Sequence, residues 1–262
     1  MITPTIRYSS DLDATIEREV RAMLIEYYGP VYKDRVDNFI DISLATEPFA
    51  GRFLYLKSVI GLEVFNPQST ILIFGFGMGS EMIMARQFGF GKVYGVEVER
   101  ILVEATKKRL HQFSDMYPVF YDGKALPYED GQFIVVASGH VIEHTGDPSF
   151  HLQEALRTLA PGGYLFLEFP HRYYITELHT QLPSFEWLPR PQRNLVLRIL
   201  SSKSSPLRED AKLRYLSIIN TNLQQISLGG IVRMLNKISY SATVINRVRA
   251  APGIIRCVIR KN

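Results

Sequence analysis

The sequence predicts an α/β fold built on a doubly wound, mostly parallel sheet. Three observations predict it. Short apolar strand runs alternate with helical segments between residues 70 and 170, a glycine-rich loop follows the first strand, and the chain ends in two β-rich segments. Strands that alternate with helices form parallel sheets with helices on both faces. A chain of 262 residues, of which 46% are hydrophobic and 21% charged, can bury such a core without disulfides or metals.

Residues 1–66 are predicted to form an N-terminal helical cover. An apolar stripe with spacings of three and four runs over residues 12–27, and Gly29-Pro30 is expected to end this helix. Two further stripes cover residues 36–44 and 49–60. Pro48 and Gly61 are expected to end these two helices.

Residues 67–170 are predicted to form the α/β core. Pro161-Gly162-Gly163 is expected to be a turn before the fifth strand. The expected strands cover residues 70–74, 92–98, 117–121, 133–138 and 164–169, and the expected helices cover residues 80–88, 100–113 and 149–159.

The rest of the chain is predicted to be a lid followed by the end of the same single domain. Residues 171–221 are rich in proline and serine, which indicates a lid or substrate insertion rather than a domain. Residues 222–262 are predicted to contain a helix with Ile231, Met234, Leu235 and Ile238 on one face. An antiparallel pair of strands over residues 242–248 and 253–260 then completes the core.

The glycine-rich loop is the strongest functional signal. Gly75, Gly77 and Gly79 have the spacing G-x-G-x-G, and Ser80 stands where a dinucleotide-binding fingerprint has its third glycine. Glycines let the backbone turn tightly and let a ligand approach it closely. Glu97 ends the next strand, where a carboxylate can accept hydrogen bonds from both hydroxyls of a ribose. The combination is typical of a site for a ribose-containing cofactor.

From Ile71 to Pro170 the chain resembles the class I S-adenosylmethionine-dependent methyltransferases of the small-molecule "type 11" kind, which have a Rossmann-like fold. The resemblance rests on several motifs in the same order along the chain. They are Ile-Leu-Ile-Phe-Gly-Phe-Gly-Met-Gly (71–79), Val-Tyr-Gly-Val-Glu (93–97), Asp-Gly-Lys-Ala-Leu-Pro-Tyr (122–128), Gln-Phe-Ile-Val-Val-Ala-Ser (132–138), Val-Ile-Glu-His (141–144), Ala-Leu-Arg-Thr-Leu-Ala-Pro-Gly-Gly (155–163) and Leu-Phe-Leu-Glu-Phe-Pro (165–170).

The resemblance implies S-adenosyl-L-methionine as the cofactor and a role for each matching residue. Ile73 departs from the family, which often has Asp or Glu there, near the ammonium group of the cofactor; Glu81 is expected to complement the dipole of the next helix. The implied positions are Gly75, Gly77 and Gly79 along the methionyl part, Glu97 at the ribose, Asp122 and Gly123 at the adenine, Ser138 beside the sulfonium, and His140 packed against the cofactor.

Methyl transfer to a hydroxyl or amine needs a base that takes the proton of the acceptor. Histidine suits this role at neutral pH. His171, His179 and His144 are the predicted catalytic residues, because they follow the fourth and fifth strands near the carboxyl edge of the sheet. His140 also follows the fourth strand. We expect an O-methyltransferase, with a nitrogen acceptor as the second choice.

The run from His140 to His144 also matches H-x-x-E-H, a zinc signature of one class of proteases. That motif needs a helix that places both histidines on one face. A divalent metal bound by His140, Glu143 and His144 is a second alternative, seen in some quinone-type methyltransferases of the family. The favoured interpretation has no metal, and Glu143 and His144 orient this segment.

Charge and composition bear on the partner. From Arg190 onward the chain has 14 lysines and arginines against two acidic residues. This excess predicts an anionic acceptor or a peripheral contact with an anionic membrane, unless it is only a solvated face. Residues 177–190 mix aromatic, histidine and charged side chains and are similar to a stretch in bacterial methyltransferases of cell-surface glycans. The expected acceptor is therefore a small or lipid-linked metabolite, with a glycan hydroxyl as first choice.

Three other functions stay open. A nicotinamide-dependent oxidoreductase is disfavoured by Ser80 and by the lack of a Tyr-x-x-x-Lys pair. A non-catalytic cofactor-binding protein is favoured only by Ile73. A nucleic-acid methyltransferase would have an Asn/Asp-Pro-Pro-Tyr/Phe motif where this chain has Ser138-Gly139-His140, so a nucleic-acid partner is not expected. Cys257 is the one cysteine, and residues 1–4 have no signal-peptide character, so a cytoplasmic protein is expected. The sequence predicts no oligomeric state.

Overall fold

The computed structural model describes residues 14–173, 185, 188–208, 211–212 and 223–262. The chain divides into two compact units. Unit 1 consists of Met1–Ala137 and Arg157–Tyr164, and unit 2 consists of Ser138–Leu156 and Leu165–Asn262. The segment boundaries given above for cover, core, lid and C-terminal part stay predictions.

Seven strands form one sheet in the order β3-β2-β1-β4-β5-β7-β6. Strand β1 is parallel to both β2 and β4, β2 is parallel to β3, and β6 and β7 are antiparallel. The predicted fold class, a mostly parallel Rossmann-like sheet with a C-terminal antiparallel pair, is confirmed. The strands are β1 Thr70–Phe74, β2 Lys92–Glu97, β3 Met116–Phe120, β4 Phe133–Gly139, β5 Leu159–Pro170, β6 Ala242–Ala251 and β7 Ile254–Lys261.

The strand order reverses beside β1, because β2 lies on one side of it and β4 on the other. In doubly wound sheets the carboxyl ends of the strands at such a reversal form the ligand crevice. The glycine loop begins where β1 ends, so the topology of unit 1 places this loop at the binding edge.

Unit 1 contains five α-helices within its described residues. They are α1 Ala14–Tyr32, α2 Val36–Leu44, α3 Glu47–Ile60, α4 Ser80–Gln87 and α5 Arg100–Arg109. Helix α5 ends four residues earlier than predicted. Gly61 ends α3 as predicted, with a φ of 89°.

Two of the predicted helix ends are wrong, and both concern proline. Helix α1 continues through Gly29-Pro30 to Tyr32. Pro30 lies in the last turn, so the hydrogen bond that proline cannot donate is lost only at the end of the helix. Pro48 does not end α2, which stops at Leu44. It lies in the first turn of α3, where its missing N–H has no helical partner to lose.

The N-terminal helices cover the glycine loop of unit 1. Val20 and Leu24 of α1 and Ile40 of α2 are buried in one cluster with Met78 of the loop and Leu102 of α5. Burying a side chain of this size stabilises the fold by about 1.5–3 kcal/mol. Apolar packing of α1 and α2 against Met78 therefore holds the glycine loop in place.

The other α-helices among the described residues are α6 Pro148–Thr158, α7 Arg190–Leu200 and α8 Leu228–Leu235. Ile238, predicted on the face of this last helix, lies beyond its end. The predicted turn at Pro161-Gly162-Gly163 is also wrong, because β5 runs through these residues. Gly162 has a φ of 76°, which lets the strand bend there without ending. Among the described residues, no helix has both the length and the apolar character needed to cross a membrane.

Candidate functional site

The glycine loop of unit 1 adopts a backbone shape that requires glycine. Gly75, Gly77 and Gly79 have φ values of 79°, 54° and 81°. Other residues rarely adopt this left-handed region. A Cβ atom at Gly77 would meet no atom within 4 Å, whereas one at Gly79 would lie 2.7 Å from Cγ2 of Thr106. Gly77 thus borders open space, and Gly79 allows the loop to pack closely against α5.

Glu97, at the end of β2, holds this loop. The backbone N–H of Gly77 donates to Oε2 of Glu97 at 3.0 Å, and the N–H of Val98 donates to Oε1 at 2.8 Å. The structure therefore brings together two of the predicted cofactor residues. Backbone donors on both oxygens fix the orientation of the carboxylate, which is the arrangement needed to receive a pair of hydroxyls.

Tyrosine hydroxyls lie within electrostatic reach of Glu97, and the sequence reasoning did not assign them to the site. Burial raises the pKa of Tyr121 to about 12, and the charges of Glu97 and Asp122 contribute to the rise. Burial also raises the pKa of Tyr27, with contributions from Glu99 and Glu97. Tyr27 belongs to the apolar stripe of α1, so helical spacing alone gave no signal that its hydroxyl approaches the site.

Asp122 and Gly123 follow β3 and are both exposed. The N–H of Lys124 donates to Oδ1 of Asp122 at 3.1 Å. This hydrogen bond, together with the Lys124 side chain, lowers the pKa of the carboxyl. Gly123 has a φ of 80°. A Cβ atom placed on Gly123 would have only Val98 within 4 Å, at 3.9 Å. The predicted adenine contacts of both residues stay predictions.

A buried arginine that the sequence analysis missed supports the loop from the α5 side. Arg109 donates to the carbonyl oxygen of Met78, to Oγ of Ser80 at 2.9 Å and to the carbonyl of Leu44 at 2.7 Å. Oγ of Ser80 in turn donates to the carbonyl of Ser43 at 2.8 Å. These bonds join the loop to the end of α2. In the sequence, Arg109 is one of three consecutive basic residues, a pattern that usually indicates a solvated helix face.

Glu81 in the first turn of α4 and Ile73 in β1 lie on either side of the glycine loop in the chain. Glu81, expected to complement the dipole of α4, is buried and forms an ion pair with Arg52 at 2.7 Å. Its main partner is therefore a side chain of α3. Ile73 is fully buried in β1 between β2 and β4. Ile73 thus places a buried apolar side chain at the position where the family often has a carboxylate.

In unit 2, His140 occupies a strained backbone position between two carboxylates. Its φ is 57°, in the region that only glycine visits without cost. Its backbone N–H donates to the carbonyl of Glu168 at 2.7 Å. Its ring nitrogens lie 3.1 Å from Oε1 of Glu168 and 3.5 Å from Oε1 of Glu143. Both carboxylates are buried, and that of Glu168 also pairs with Arg256.

This arrangement makes His140 a cation at neutral pH. Burial lowers the pKa of His140, but the contacts with Glu143 and Glu168 raise it by more, to about 9. An imidazolium cannot accept a proton, so His140 is unsuited to act as the base. Its predicted contact with the cofactor stays a prediction.

The H-x-x-E-H run does not lie on an α-helix. It begins just after β4, and Ile142–His144 form a single 3-10 turn. The zinc-protease interpretation is therefore wrong, since its two histidines must share one helix face. Within the described part of the chain, no group of three or more His, Cys, Asp or Glu residues could hold a metal ion.

Ser138, at the end of β4, is buried with its side chain. Its Oγ lies 3.0 Å from Nε2 of His151, which is also buried. Burial lowers the pKa of His151 to about 3, so this ring is neutral. The predicted place of Ser138 beside the sulfonium stays a prediction, and it would involve the backbone of Ser138 rather than its hydroxyl.

The three predicted catalytic histidines differ in their surroundings. His171 follows β5, and its backbone N–H donates to the carbonyl of Gly253 at 2.8 Å. Burial, and then the charges of Arg249 and Arg172, lower the pKa of His171. His144 is exposed at the end of the 3-10 turn. His179 lies outside the described residues.

The central part of the chain is similar to known proteins. Residues 72–167 match the family model described as "Methyltransferase domain". The chain is 32% identical to 2-methyl-6-phytyl-1,4-hydroquinone methyltransferase of Synechocystis over 143 residues, which are 53% of this chain and 41% of that protein. It is 29% identical to an uncharacterized 37.1 kDa transposon protein of Streptomyces fradiae over 161 residues, 59% of this chain and 45% of that protein. The chain thus spans less than half the length of these relatives.

Solved structures of methyltransferases share the fold. A putative S-adenosyl-L-methionine-dependent methyltransferase from Methanococcus maripaludis has a TM-score of 0.55 at 15% identity, covering 86% of this chain and 91% of that one. An S-adenosylmethionine-dependent methyltransferase from Aquifex aeolicus has a TM-score of 0.53 at 10% identity, covering 93% and 97%. The resemblance to class I methyltransferases is confirmed, and the predicted cofactor is the one that the names of these two proteins contain.

Proposed function

We propose that this chain is an S-adenosylmethionine-dependent methyltransferase that acts on a hydroxyl oxygen, or as second choice a nitrogen, of a small or lipid-linked acceptor. The observation that carries the proposal is the bond between Gly77 and Glu97 at the ends of adjacent strands, within residues that match a methyltransferase domain. When bound, S-adenosylmethionine supplies a methyl group that its sulfonium has already activated.

The residues of unit 1 fit this cofactor. Open space beside Gly77 lets a ligand approach the backbone of the loop. Glu97 would hold the ribose, and Asp122 and Gly123 would meet the adenine. Ile73 offers no charge to the ammonium group, so binding depends more heavily on Glu97 than it would with a second carboxylate.

The proposed base is His171. Its lowered pKa keeps the ring neutral at pH 7, so that it can take the proton of an acceptor hydroxyl. His140 is excluded from this role by its raised pKa. His144 is the next candidate, and His179 stays a prediction. The remaining contribution of the protein is to align the acceptor and exclude water.

Two acceptor classes follow from different observations. The proposal of a glycan hydroxyl is based on the sequence of residues 177–190, most of which lie outside the described residues. A hydroquinone acceptor is favoured by the relative from Synechocystis, whose name contains that substrate class. Both acceptors present hydroxyl groups whose proton a histidine base could take, but a hydroquinone also offers a ring carbon to the methyl group.

A labelled methyl-transfer assay tests the proposal. The full chain and its His171→Gln variant are incubated with radiolabelled S-adenosylmethionine and with extract fractions enriched in polar metabolites, glycolipids, quinols or nucleic acids. We expect label in a small-molecule or lipid fraction and a loss of roughly 10²–10⁴-fold in the variant. Label only in nucleic acid would contradict the proposed acceptor. Cofactor binding without transfer to any fraction would instead favour the non-catalytic alternative.

A further inference from the structure

The C-terminal part of unit 2 contains an open groove between helix α8 and the edge strand β6. The groove has a volume of about 480 Å³. We propose that this basic groove docks the protein on an anionic lipid surface. Its lining residues from α8 are Leu228, Val232, Leu235 and Asn236, and those from β6 run from Ala242 to Arg247.

The part of the chain that forms the groove is strongly basic. Residues 223–262 contain seven lysines and arginines and no aspartate or glutamate. Arg256 is paired with Glu168. Arg247, which lines the groove, is exposed, and so are Arg233 of α8 and Lys237 just after this helix. These three side chains form no ion pair with any residue that the structure describes. An exposed excess of positive charge of this kind attracts an anionic surface.

Exposed apolar side chains accompany these charges. Val232 of α8 and Ile245 of β6 are 40% and 41% exposed. Basic residues alone would suffice to keep an edge strand from pairing with another chain. The exposed apolar side chains do not protect the strand edge in this way. Their burial in the headgroup region of a bilayer would be favourable.

A lipid surface fits this pattern better than the other candidate partners. A bilayer presents negative headgroups, which attract the exposed lysines and arginines. It also presents acyl methylenes, which can contact the apolar residues of the groove lining. A nucleic acid would gain little from an aliphatic lining, since its binding relies on phosphate contacts and aromatic stacking. A second copy of this chain would carry the same excess of lysines and arginines, so the two groove regions would repel each other. The proposal is independent of methyl transfer.

Vesicle co-sedimentation with the full chain tests the proposal. We expect binding to vesicles of equal parts phosphatidylglycerol and phosphatidylcholine, little binding to pure phosphatidylcholine, and weaker binding at high salt. The double variant Arg233→Gln/Arg247→Gln should bind roughly 25-fold more weakly, about fivefold for each cation. The matched control Arg18→Gln/Lys92→Gln, which removes two exposed cations of unit 1, should bind as the wild type does.

Apolar variants complete the test. Val232→Ser/Ile245→Ser should lower vesicle binding at least about tenfold, whereas Leu54→Ser, at an exposed apolar position of α3, should not. Equal recovery with both vesicle types would overturn the proposal. So would an equal loss in test and control variants, displacement from vesicles by double-stranded RNA of equal phosphate content, or a dimer that Ile245→Ser dissociates. Because no methyl acceptor is present, failure here is separate from failure of the proposed function.

Discussion

The backbone N–H of Gly77 donates a hydrogen bond of 3.0 Å to the carboxylate of Glu97. This bond joins the loop after β1 to the end of β2, two places that lie 20 residues apart in the chain. A charge-assisted bond of this kind is stronger than one between neutral groups. Glu97 therefore shapes the loop, and its proposed second role is to present an oriented carboxylate to the cofactor.

Replacing Glu97 by glutamine should weaken S-adenosylmethionine binding by about 1–3 kcal/mol, because a charged acceptor of ribose hydroxyls is lost. Calorimetric titration measures the change in Kd. The control Glu99→Gln removes an exposed carboxylate two residues away and should leave Kd unaltered. An equal Kd in both variants would show that Glu97 is not at the ribose.

The Gly77→Ala variant should fold but bind the cofactor poorly, because its methyl group would enter the open space beside the loop. The left-handed φ alone should cost about 1–2 kcal/mol of folding stability. The control Gly131→Ala imposes similar strain outside the loop, because Gly131 has a φ of 73°. A Cβ atom there would have no neighbour closer than 3.8 Å. We expect similar Tm losses in both variants and loss of binding only in Gly77→Ala. Normal binding by Gly77→Ala would contradict this use of the open space.

His140 should make the stability of the protein fall as the pH rises above neutral. Its folded pKa of about 9 lies above its ordinary value of 6.5, so its stabilising contribution is complete below pH 6.5 and is lost as the pH rises through 9. The partial exposure of the ring reduces the expected contribution to about 1–2 kcal/mol.

Urea unfolding of wild type and His140→Asn at several pH values measures this contribution. Asparagine tolerates the positive φ at this position but does not titrate. The free energy of unfolding of the variant should therefore change less between pH 6.5 and 9 than that of the wild type. Parallel curves for the two proteins would contradict the imidazolium assignment.

His171 should titrate below its ordinary pKa, and Arg249 should contribute to the shift. NMR titration of the His171 ring tests this without a methyl acceptor. Arg249→Gln should move the pKa of His171 upward, because one repelling charge is removed. Arg260→Gln, at an exposed position near the other end of the hairpin, should not. If neither variant changes the titration, the charge of Arg249 does not contribute to the pKa of His171, contrary to this prediction.

The sequence predicted the sheet and the glycine loop because both depend on local patterns. Each strand run and the glycine spacing are visible within a few residues, and Glu97 is recognised because it ends the next strand run. Arg109 and Tyr27 could not be assigned in this way, since their roles arise when α5 and α1 pack against the loop. The carboxylate of Glu168 beside His140 was equally hidden, because Glu168 is 28 positions further along the chain. The two helix ends at proline were missed because proline is tolerated in a first or last turn.

The most direct test of the central claim is calorimetric titration of the full chain with S-adenosylmethionine and, separately, with NADH. The Gly77–Glu97 geometry and the methyltransferase-domain match predict saturable binding of S-adenosylmethionine at one site and no binding of NADH. Tight binding of NADH without binding of S-adenosylmethionine would contradict the account and favour a nicotinamide-dependent oxidoreductase.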